Sequence, residues 1–132
     1  MLNLIDQVKE IFTIEQMLPA LGQGVIALQC KKSDQKTLDI LKEVNDVETY
    51  YCVQAERTLL EAIGGDCDTA IGGLAKLTND KIFLKSELFS NDGKKKFEFK
   101  TSGHFKDAKE IGYKVGKELL KKAGPNFTTQ ES

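Results

Sequence analysis

Residues 56–73 constrain the fold most, because a helical hydrophobic pattern gives way there to an extended one within a few residues. Upstream, apolar residues recur at intervals of three and four, which is typical of the buried face of a helix. The pair Gly64-Gly65 predicts the end of that helix, since glycine readily adopts the left-handed conformation of a helix C-terminus. An extended pattern begins at Ile71. The chain is therefore predicted to pack a helix against a sheet.

Three strands in a meander are predicted after this change of pattern, over residues 71–78, 81–89 and 94–101. Asn79-Asp80 separates the first two strands, and because both residues tolerate positive φ they predict a tight hairpin. The sequence S-N-D-G at 90–93 predicts a second turn. In the third strand Phe97 and Phe99 share one face opposite charged residues, which is the alternation of a half-buried strand.

Helices are predicted before and after the strands. The first follows the N-cap residues Ser33 and Asp34 and ends near Asn45, the second runs from Val47 to the glycine pair, and the third runs from Ala108 to Gly124-Pro125. Gly112 and Gly116 lie inside the third helix, where each costs about 1 kcal/mol relative to alanine. We expect them to allow a close approach of this helix to the sheet. The predicted fold class is α+β, with a three-stranded antiparallel sheet and helices packed on one face.

The N-terminal region has the pattern of a strand/helix arm that belongs to a larger α/β domain. Residues 3–17 are partly helical in pattern, and Pro19 sets a boundary because the residue before a proline avoids the helical conformation. Residues 25–28 form a nearly continuous apolar run, which suits a strand buried on both faces and which a small domain rarely needs. We therefore predict two units, residues 1–46 and residues 47–132.

The overall charge argues against two kinds of partner. The chain of 132 residues has 19 basic and 20 acidic side chains, for a net charge of -1. This balance gives no electrostatic reason to expect a nucleic acid or an anionic membrane. No apolar run is long enough to span a membrane, and Asp6 and Glu10 interrupt the N-terminus where a signal peptide needs apolar residues. The three lysines at 94–96 are predicted to be a solvated strand edge.

The cysteines argue against disulfides and metal binding. Cys30, Cys52 and Cys67 are odd in number and occur in different local patterns, so reduced thiols fit better than a disulfide framework. No C-x-x-C pair is present and His104 is the one histidine in the sequence, so no zinc ligand set is predicted. Cys30 and Cys52 are expected to be buried or packed and inert. His104 is expected at the surface or in a cap.

Cys67 and Arg57 each leave two interpretations open. Cys67 lies between Asp66 and Asp68, so it is either a surface cysteine without chemistry or a covalent attachment point on a short loop. The flanking carboxylates and the negative end of the preceding helix disfavour a thiolate there. Arg57 lies about two turns before the glycine pair, where it forms either a surface ion pair or a site for carboxylates.

Three segments carry a family resemblance when they are taken in this order and spacing. They are L-P-A-L-G-Q-G-V-I-A-L-Q-C at 18–30, A-E-R at 55–57 and G-G-x-C-x-x-x-I-G at 64–72. Together they resemble the porphobilinogen deaminase (hydroxymethylbilane synthase) family. The resemblance implies a three-domain enzyme of which this chain is the C-terminal part. Residues up to about 18 would end the second domain, residues 20–45 would complete the first, and residues 47–132 would form the third.

The resemblance also implies a cytoplasmic transferase of tetrapyrrole and heme biosynthesis. Members of this family add porphobilinogen units one by one, with release of ammonia, and then hydrolyse the linear hydroxymethylbilane from the enzyme. A loop cysteine of the third domain holds a dipyrromethane cofactor through a thioether. The partners would be porphobilinogen and the growing pyrrole chain, with no nucleic acid, no membrane and a monomeric full-length enzyme.

The site residues follow from the positions that match the family. Cys67 matches the cofactor cysteine, and Arg57 matches an arginine that approaches carboxylates of the cofactor or substrate. Gln23 and Gly24 match the segment that lines the cleft between the domains. The catalytic aspartate and several arginines of the family's first two domains match nothing here. No catalytic residue is therefore assigned, and the chain alone is expected to be inactive.

The loop departs from the family pattern at two positions. The family usually reads E-G-G-C, whereas Asp66 separates the glycines from Cys67 here, and Ala70 stands where a proline is common. Two alternatives to the family function stay open. One is a stand-alone α+β module that binds or regulates a protein, and the other is a thiol-based redox protein that uses Cys67.

Overall fold

The computed structural model of the protein describes residues 5–65, 69–125 and 127. The elements in chain order are a 3-10 turn at Ile5–Gln7, α1 Gln35–Val44, α2 Val47–Ala62, β1 Ile71–Thr78, β2 Lys81–Phe89, β3 Lys96–His104, a second 3-10 turn at Phe105–Asp107, and α3 Ala108–Ala123. The strands form one antiparallel sheet in the order β1-β2-β3. Helices α2 and α3 pack on each other and on one face of the sheet, which confirms the predicted α+β fold class.

The first hairpin forms at the predicted turn. Asn79 and Asp80 have φ angles of 47° and 61°, and Thr78 pairs with Lys81 across the turn. Positive φ at both central residues gives a turn whose twist matches that of the flanking strands. The bounds of β1 and β2 agree with those predicted from the sequence.

The second hairpin differs from the prediction in the bounds of its third strand. β3 begins at residue 96 rather than 94 and ends at residue 104 rather than 101. The turn takes up residues 90–95, where the Ser90 amide donates to the Lys95 carbonyl oxygen at 3.0 Å. At the other end β2 pairs along its whole length, so that Lys81 faces His104 and β3 is extended to match.

Alternate side chains divide the sheet into a covered face and an open face. The side chains of β2 buried under the helices are Ile82, Leu84, Ser86 and Leu88. Residues of α2 and α3 in the same core are Ala55, Leu59, Ile63, Ala108, Ile111, Val115 and Leu119. The buried Ser86 hydroxyl donates to the Gly72 carbonyl oxygen at 2.7 Å, so this polar group is satisfied within the core. On the open face Phe83 is 49% exposed.

Gly112 and Gly116 allow two helices to approach each other, so the predicted close approach to the sheet is wrong. A Cβ at Gly112 would meet the Ala55 carbonyl oxygen of α2. A Cβ at Gly116 would lie 2.6 Å from Cβ of Ala62, also on α2. Toward the sheet, the crowded glycine is on β3, where a Cβ at Gly103 would lie 3.0 Å from Cδ1 of Ile111.

The arm, residues 5–46, is packed loosely by comparison. Helix α1 begins as predicted, because the Asp34 side chain accepts a hydrogen bond from the Thr37 amide at 3.1 Å. It ends at the C-cap Asn45. None of its residues is buried. At the start of α2, the Thr49 amide donates a second capping hydrogen bond to the side chain of Asp46 at 2.8 Å.

The apolar run at 25–28 has no sheet to join within the described chain. Its residues form no strand with any described residue, and Ile26 is 89% exposed and Leu28 62% exposed. The helical pattern predicted over residues 3–17 yields a 3-10 turn at Ile5–Gln7 and a turn at 14–16, and no longer helix in the part that is described.

The arm contacts the sheet at the edge of β1. Ala20 pairs with Gly72 in an isolated antiparallel bridge, and the Gly73 amide donates to the Pro19 carbonyl oxygen at 2.9 Å. Leu21 packs against the core. These contacts bring the arm alongside α2, where the predicted site residues lie.

Candidate functional site

Helix α2 ends in a hydrogen-bonded cap that leads the chain into the loop before β1. The C-cap is Ile63, and Gly64 follows with a φ of 68°. The Gly64 amide donates to the Glu61 carbonyl oxygen, and the Gly65 amide donates to the Leu60 carbonyl oxygen, both at 3.0 Å. This pair of bonds is a Schellman motif. The predicted helix stop at the glycine pair is confirmed.

The loop after the cap is anchored on both sides. A Cβ at Gly65 would lie 2.8 Å from Cδ1 of Leu60, so a larger residue there would require this side chain of α2 to move. On the strand side Thr69 is buried. The Phe89 amide donates to the Ala70 carbonyl oxygen at 2.9 Å, which extends the pairing of β1 and β2 by one bond. The loop therefore joins two fixed points.

Cys67, the predicted attachment point, lies outside the described residues together with Asp66 and Asp68. Its role therefore stays a prediction from the sequence. The same holds for the effect of the departures at Asp66 and Ala70, although Ala70 itself is described and exposed.

Arg57 is exposed on α2, on the helix that leads to the loop. Its guanidinium forms no ion pair with any residue that the structure describes. An unpaired guanidinium can donate two parallel N–H hydrogen bonds to the two oxygens of one carboxylate. The geometry is compatible with the carboxylate-binding interpretation, which stays a prediction.

Glu56 is the residue of this region that the structure adds. Its side chain is 6% exposed, and its two carboxylate oxygens accept hydrogen bonds from two separate parts of the chain. Oε1 accepts from the Ala75 amide of β1 at 2.8 Å, and Oε2 accepts from the Gly22 amide of the arm at 2.7 Å. The carboxylate thus joins helix, strand and arm.

The surroundings of Glu56 change the pKa of two groups on α2. Burial raises the pKa of the Glu56 carboxyl above its ordinary value, although the two backbone N–H donors oppose this change. Burial also raises the pKa of the Cys52 thiol, and the negative charge of Glu56, one turn further along, adds to that effect. A raised thiol pKa disfavours the reactive thiolate, and Cys52 packs against the core, which agrees with its predicted packing role.

Gln23 and Gly24 follow directly after the residue that Glu56 binds. Both are exposed, and Gly24 has a φ of 73°. Gly22 directly precedes Gln23 and Gly24, and Glu56 directly precedes Arg57. The hydrogen bond between Gly22 and Glu56 therefore brings these two groups of predicted site residues close to each other. Their predicted role in lining a cleft is not decided by this arrangement.

Among the described residues, the other candidates from the sequence, Cys30 and His104, do not form a reactive or metal-binding site. Cys30 is half-buried rather than buried as expected, because the run that precedes it is not covered. His104 is a cap, as expected: its Nδ1 accepts from the Lys106 amide at 3.2 Å. Within the described residues no group of three potential metal ligands occurs. None of the described helices combines the length and apolar character that a membrane crossing requires.

Sequence reasoning missed Glu56, although a signal was present. Only its neighbour Arg57 was predicted to form an ion pair or to bind carboxylates. It falls three residues before Leu59 and one after Ala55, both fully buried, so it lies within the apolar sector of α2. A carboxylate in such a sector needs hydrogen-bond donors. The donors come from the arm and β1, which helical periodicity cannot reveal.

The fold and this region define a class of protein: a small α+β domain that presents a short loop between a capped helix and the edge strand of its sheet. The family model that matches the chain is that of the C-terminal domain of porphobilinogen deaminase, over residues 50–121. The chain belongs to the porphobilinogen deaminase family.

Relatives from several bacteria agree with this assignment. A porphobilinogen deaminase of Coxiella burnetii (strain CbuG_Q212) is 36% identical over 126 residues, which are 96% of this chain and 41% of the relative. One of Nitrobacter hamburgensis is 34% identical over 128 residues, 97% of this chain and 40% of the relative. One of Macrococcus caseolyticus is 38% identical over 112 residues, 85% of this chain and 36% of the relative. The chain thus spans about two fifths of the length of these relatives.

Proposed function

We propose that this chain is the cofactor-carrying C-terminal part of a hydroxymethylbilane synthase, the transferase that joins four porphobilinogen units with release of ammonia. The observation that carries the proposal is the family match over residues 50–121, which covers most of α2, the residues up to β1 and the whole sheet. In this proposal Cys67 holds a dipyrromethane group through a thioether. Residues 47–132 form the cofactor domain, and residues 1–46 belong to the cleft-forming domains.

The described residues fit a ligand that carries several carboxylates. Arg57 is exposed and its guanidinium has no ion-pair partner within the described chain, so it is free to bind an acetate or propionate group. Gln23 and Gly24 are exposed on the arm beside α2, which fits a role in lining a cleft. A bound dipyrromethane would supply the pyrrole carbon on which the chain of pyrroles is extended.

The division of labour follows from what the chain holds. Its own residues would anchor and orient the pyrrole chain, while proton transfer would come from the aspartate of the family's first domain, which matches no position here. We therefore propose that residues 1–132 alone are unmodified and do not turn over porphobilinogen. The full-length enzyme would act as a monomer in the cytoplasm, without nucleic acid or membrane.

Intact-mass spectrometry of the full-length protein tests the attachment. We expect a mass gain that corresponds to one dipyrromethane, lost in Cys67→Ser and kept in the matched controls Cys30→Ser and Cys52→Ser. A mass gain that persists in Cys67→Ser would refute the assignment of this residue. Absence of the gain in the unsubstituted protein would instead favour a stand-alone binding or regulatory module. Turnover of porphobilinogen by residues 1–132 alone would contradict the division of labour.

A further inference from the structure

The contacts of the arm with the edge of the sheet lie at residues 18–22. Beside the Glu56 bond they include the Ala20–Gly72 bridge, the bond from the Gly73 amide to the Pro19 carbonyl oxygen, the proximity of Leu18 to Gly72, and the packing of Leu21. From residue 23 to residue 45, no described hydrogen bond links the arm to the sheet or to α3. The contact at Gly22 is therefore the last fixed point before the exposed residues Gln23 and Gly24.

At this last fixed point, one side chain, Glu56, accepts two backbone hydrogen bonds. One carboxylate spans Ala75 and Gly22, which lie 19 and 34 residues away from it in sequence. Both donors are backbone amides, and a buried amide without a partner is strongly unfavourable. An apolar residue at position 56 would leave both amides unpaired.

Gly22 shows why the direction of the chain is set here. Its φ of 70° lies in the left-handed region, while a Cβ at this position would meet nothing within 4 Å. The glycine is therefore required by the backbone turn and not by crowding. Because Glu56 holds the Gly22 amide, the turn sets the direction in which the chain continues from Gly22 through Gln23 and Gly24, away from α2.

We infer that Glu56 is a positioning residue that holds the turn of the arm at residues 21–22, directly before Gln23 and Gly24, against α2 and β1. It acts through the Gly22 amide, while its second oxygen keeps the carboxylate fixed to the sheet through Ala75. The inference stands apart from the proposed function, because it concerns the attachment of the arm and not the identity of any ligand.

Glutamine is the decisive substitution, because it keeps the size of the side chain and removes one acceptor. A carboxylate accepts through both oxygens, whereas an amide side chain accepts through one oxygen and donates from its nitrogen. Glu56→Gln therefore cannot hold both backbone amides. Glu61→Gln is the matched control, since it is the same change at an exposed position of the same helix.

Amide hydrogen exchange of the 132-residue chain, followed residue by residue by NMR, tests the inference. In Glu56→Gln we expect at least one of the two amides, Gly22 or Ala75, to exchange about tenfold faster or more, as for loss of one hydrogen bond. Amides in the centre of β2 should change much less, and Glu61→Gln should leave all of them unchanged. Unchanged exchange at both Gly22 and Ala75, or an equal acceleration at these amides and in the centre of β2, would overturn the inference.

A second measurement needs no substitution and so does not depend on a variant that folds. The amide resonances of Gly22 and Ala75 should shift with pH at one common midpoint, because both amides bind the same carboxyl group. Other titratable or charged groups close in sequence to this contact are the thiol of Cys52 and the charge of Arg57 on α2 and that of Lys76 on β1, while residues 18–22 of the arm have no ionisable side chain. Two different midpoints, or resonances that do not respond to pH, would show that the carboxyl is not shared.

Discussion

The helix–sheet domain and the arm use apolar residues in opposite ways. In the domain, Leu59, Val115 and Leu119 are fully buried between the helices and the sheet. In the arm, Ile11 is 84% exposed and Ile26 is 89% exposed, although their sequence patterns are just as apolar. A periodic pattern that finds a partner becomes a core, whereas the same side chains without a partner stay in water. The stability of the chain therefore resides in the domain.

Glu56 is the main polar link between the two regions. It belongs to the domain by position and burial, yet it holds the arm through Gly22. The comparison predicts that substitutions of buried residues in the domain change the free energy of unfolding strongly, that substitutions of apolar residues in the arm change it little, and that Glu56 falls between them.

The largest expected effect is that of Leu59→Ala. This side chain is fully buried, so its truncation should lower the free energy of unfolding by about 3–4 kcal/mol through lost burial and the cavity left behind. Ile26→Ala in the arm should change it by less than about 0.5 kcal/mol. Urea unfolding of both variants measures the contrast. Equal effects would show that the arm is part of the cooperative core.

A smaller loss is expected for Gly112→Ala. The added methyl group would collide with the Ala55 carbonyl oxygen, and the two helices would have to separate. We expect a loss of about 1–3 kcal/mol, even though alanine favours helices more than glycine does. Lys114→Ala, an exposed change on the same helix, is the control. Thermal unfolding checks the prediction, and a stabilised Gly112→Ala would contradict the close contact between α2 and α3.

A further, smaller effect is a pH dependence that belongs to Glu56. Its pKa is raised in the folded protein, mainly by burial, from an ordinary value of 4.5. Protonation therefore favours the folded state: the contribution is complete below the unfolded pKa and is lost as the pH rises through the folded pKa. The stability of the parent protein relative to Glu56→Gln should increase as the pH falls from neutral toward 4.5.

Urea unfolding of both proteins at several pH values measures this difference. Both proteins keep the exposed carboxyl groups whose pKa is lowered, such as Asp34 and Asp92, so those contributions cancel. A difference that is constant with pH, or that decreases toward acid, would contradict the raised pKa of Glu56.

The smallest effect on stability is expected for Arg57→Ala. The side chain is exposed and has no ion-pair partner within the described chain, so the free energy of unfolding should change by less than about 0.5 kcal/mol. A large loss of stability would assign Arg57 a structural role and weaken the proposal that it binds carboxylates. Chemical denaturation beside Glu61→Ala, on the same helix, provides the comparison.

Local features of the fold were predictable because local chemistry determines them. Asn79-Asp80 forms the expected turn, and the glycine pair ends α2 as expected. The bounds of β3 were missed because they depend on the length of β2, its partner strand. Gly112 was predicted to contact the sheet, but it contacts α2. A glycine in a helix indicates a close contact but does not identify the element on the other side.

The candidate site was predictable only in part. Arg57 was a candidate from its position on the helix, and Gln23 and Gly24 were predicted through the family resemblance; the structure shows all three exposed, and their roles stay predictions. Glu56 was missed because its donors come from residues far away in sequence. A buried polar group is recognised by its partners, and those are known only once the chain is folded.

The way in which the arm meets β1 also protects the sheet from other molecules. Strands β1 and β3 are its two edges, and an open edge is a template on which a strand of another chain can add. At β1 the Gly73 amide is already bound to Pro19, a residue that has no amide hydrogen to offer a further strand. Strand β3 carries Lys96, Glu98 and Lys100, and such charges discourage strand addition. If the arm detached, the β1 edge would be open to strand addition, and only the charged β3 edge would still oppose aggregation.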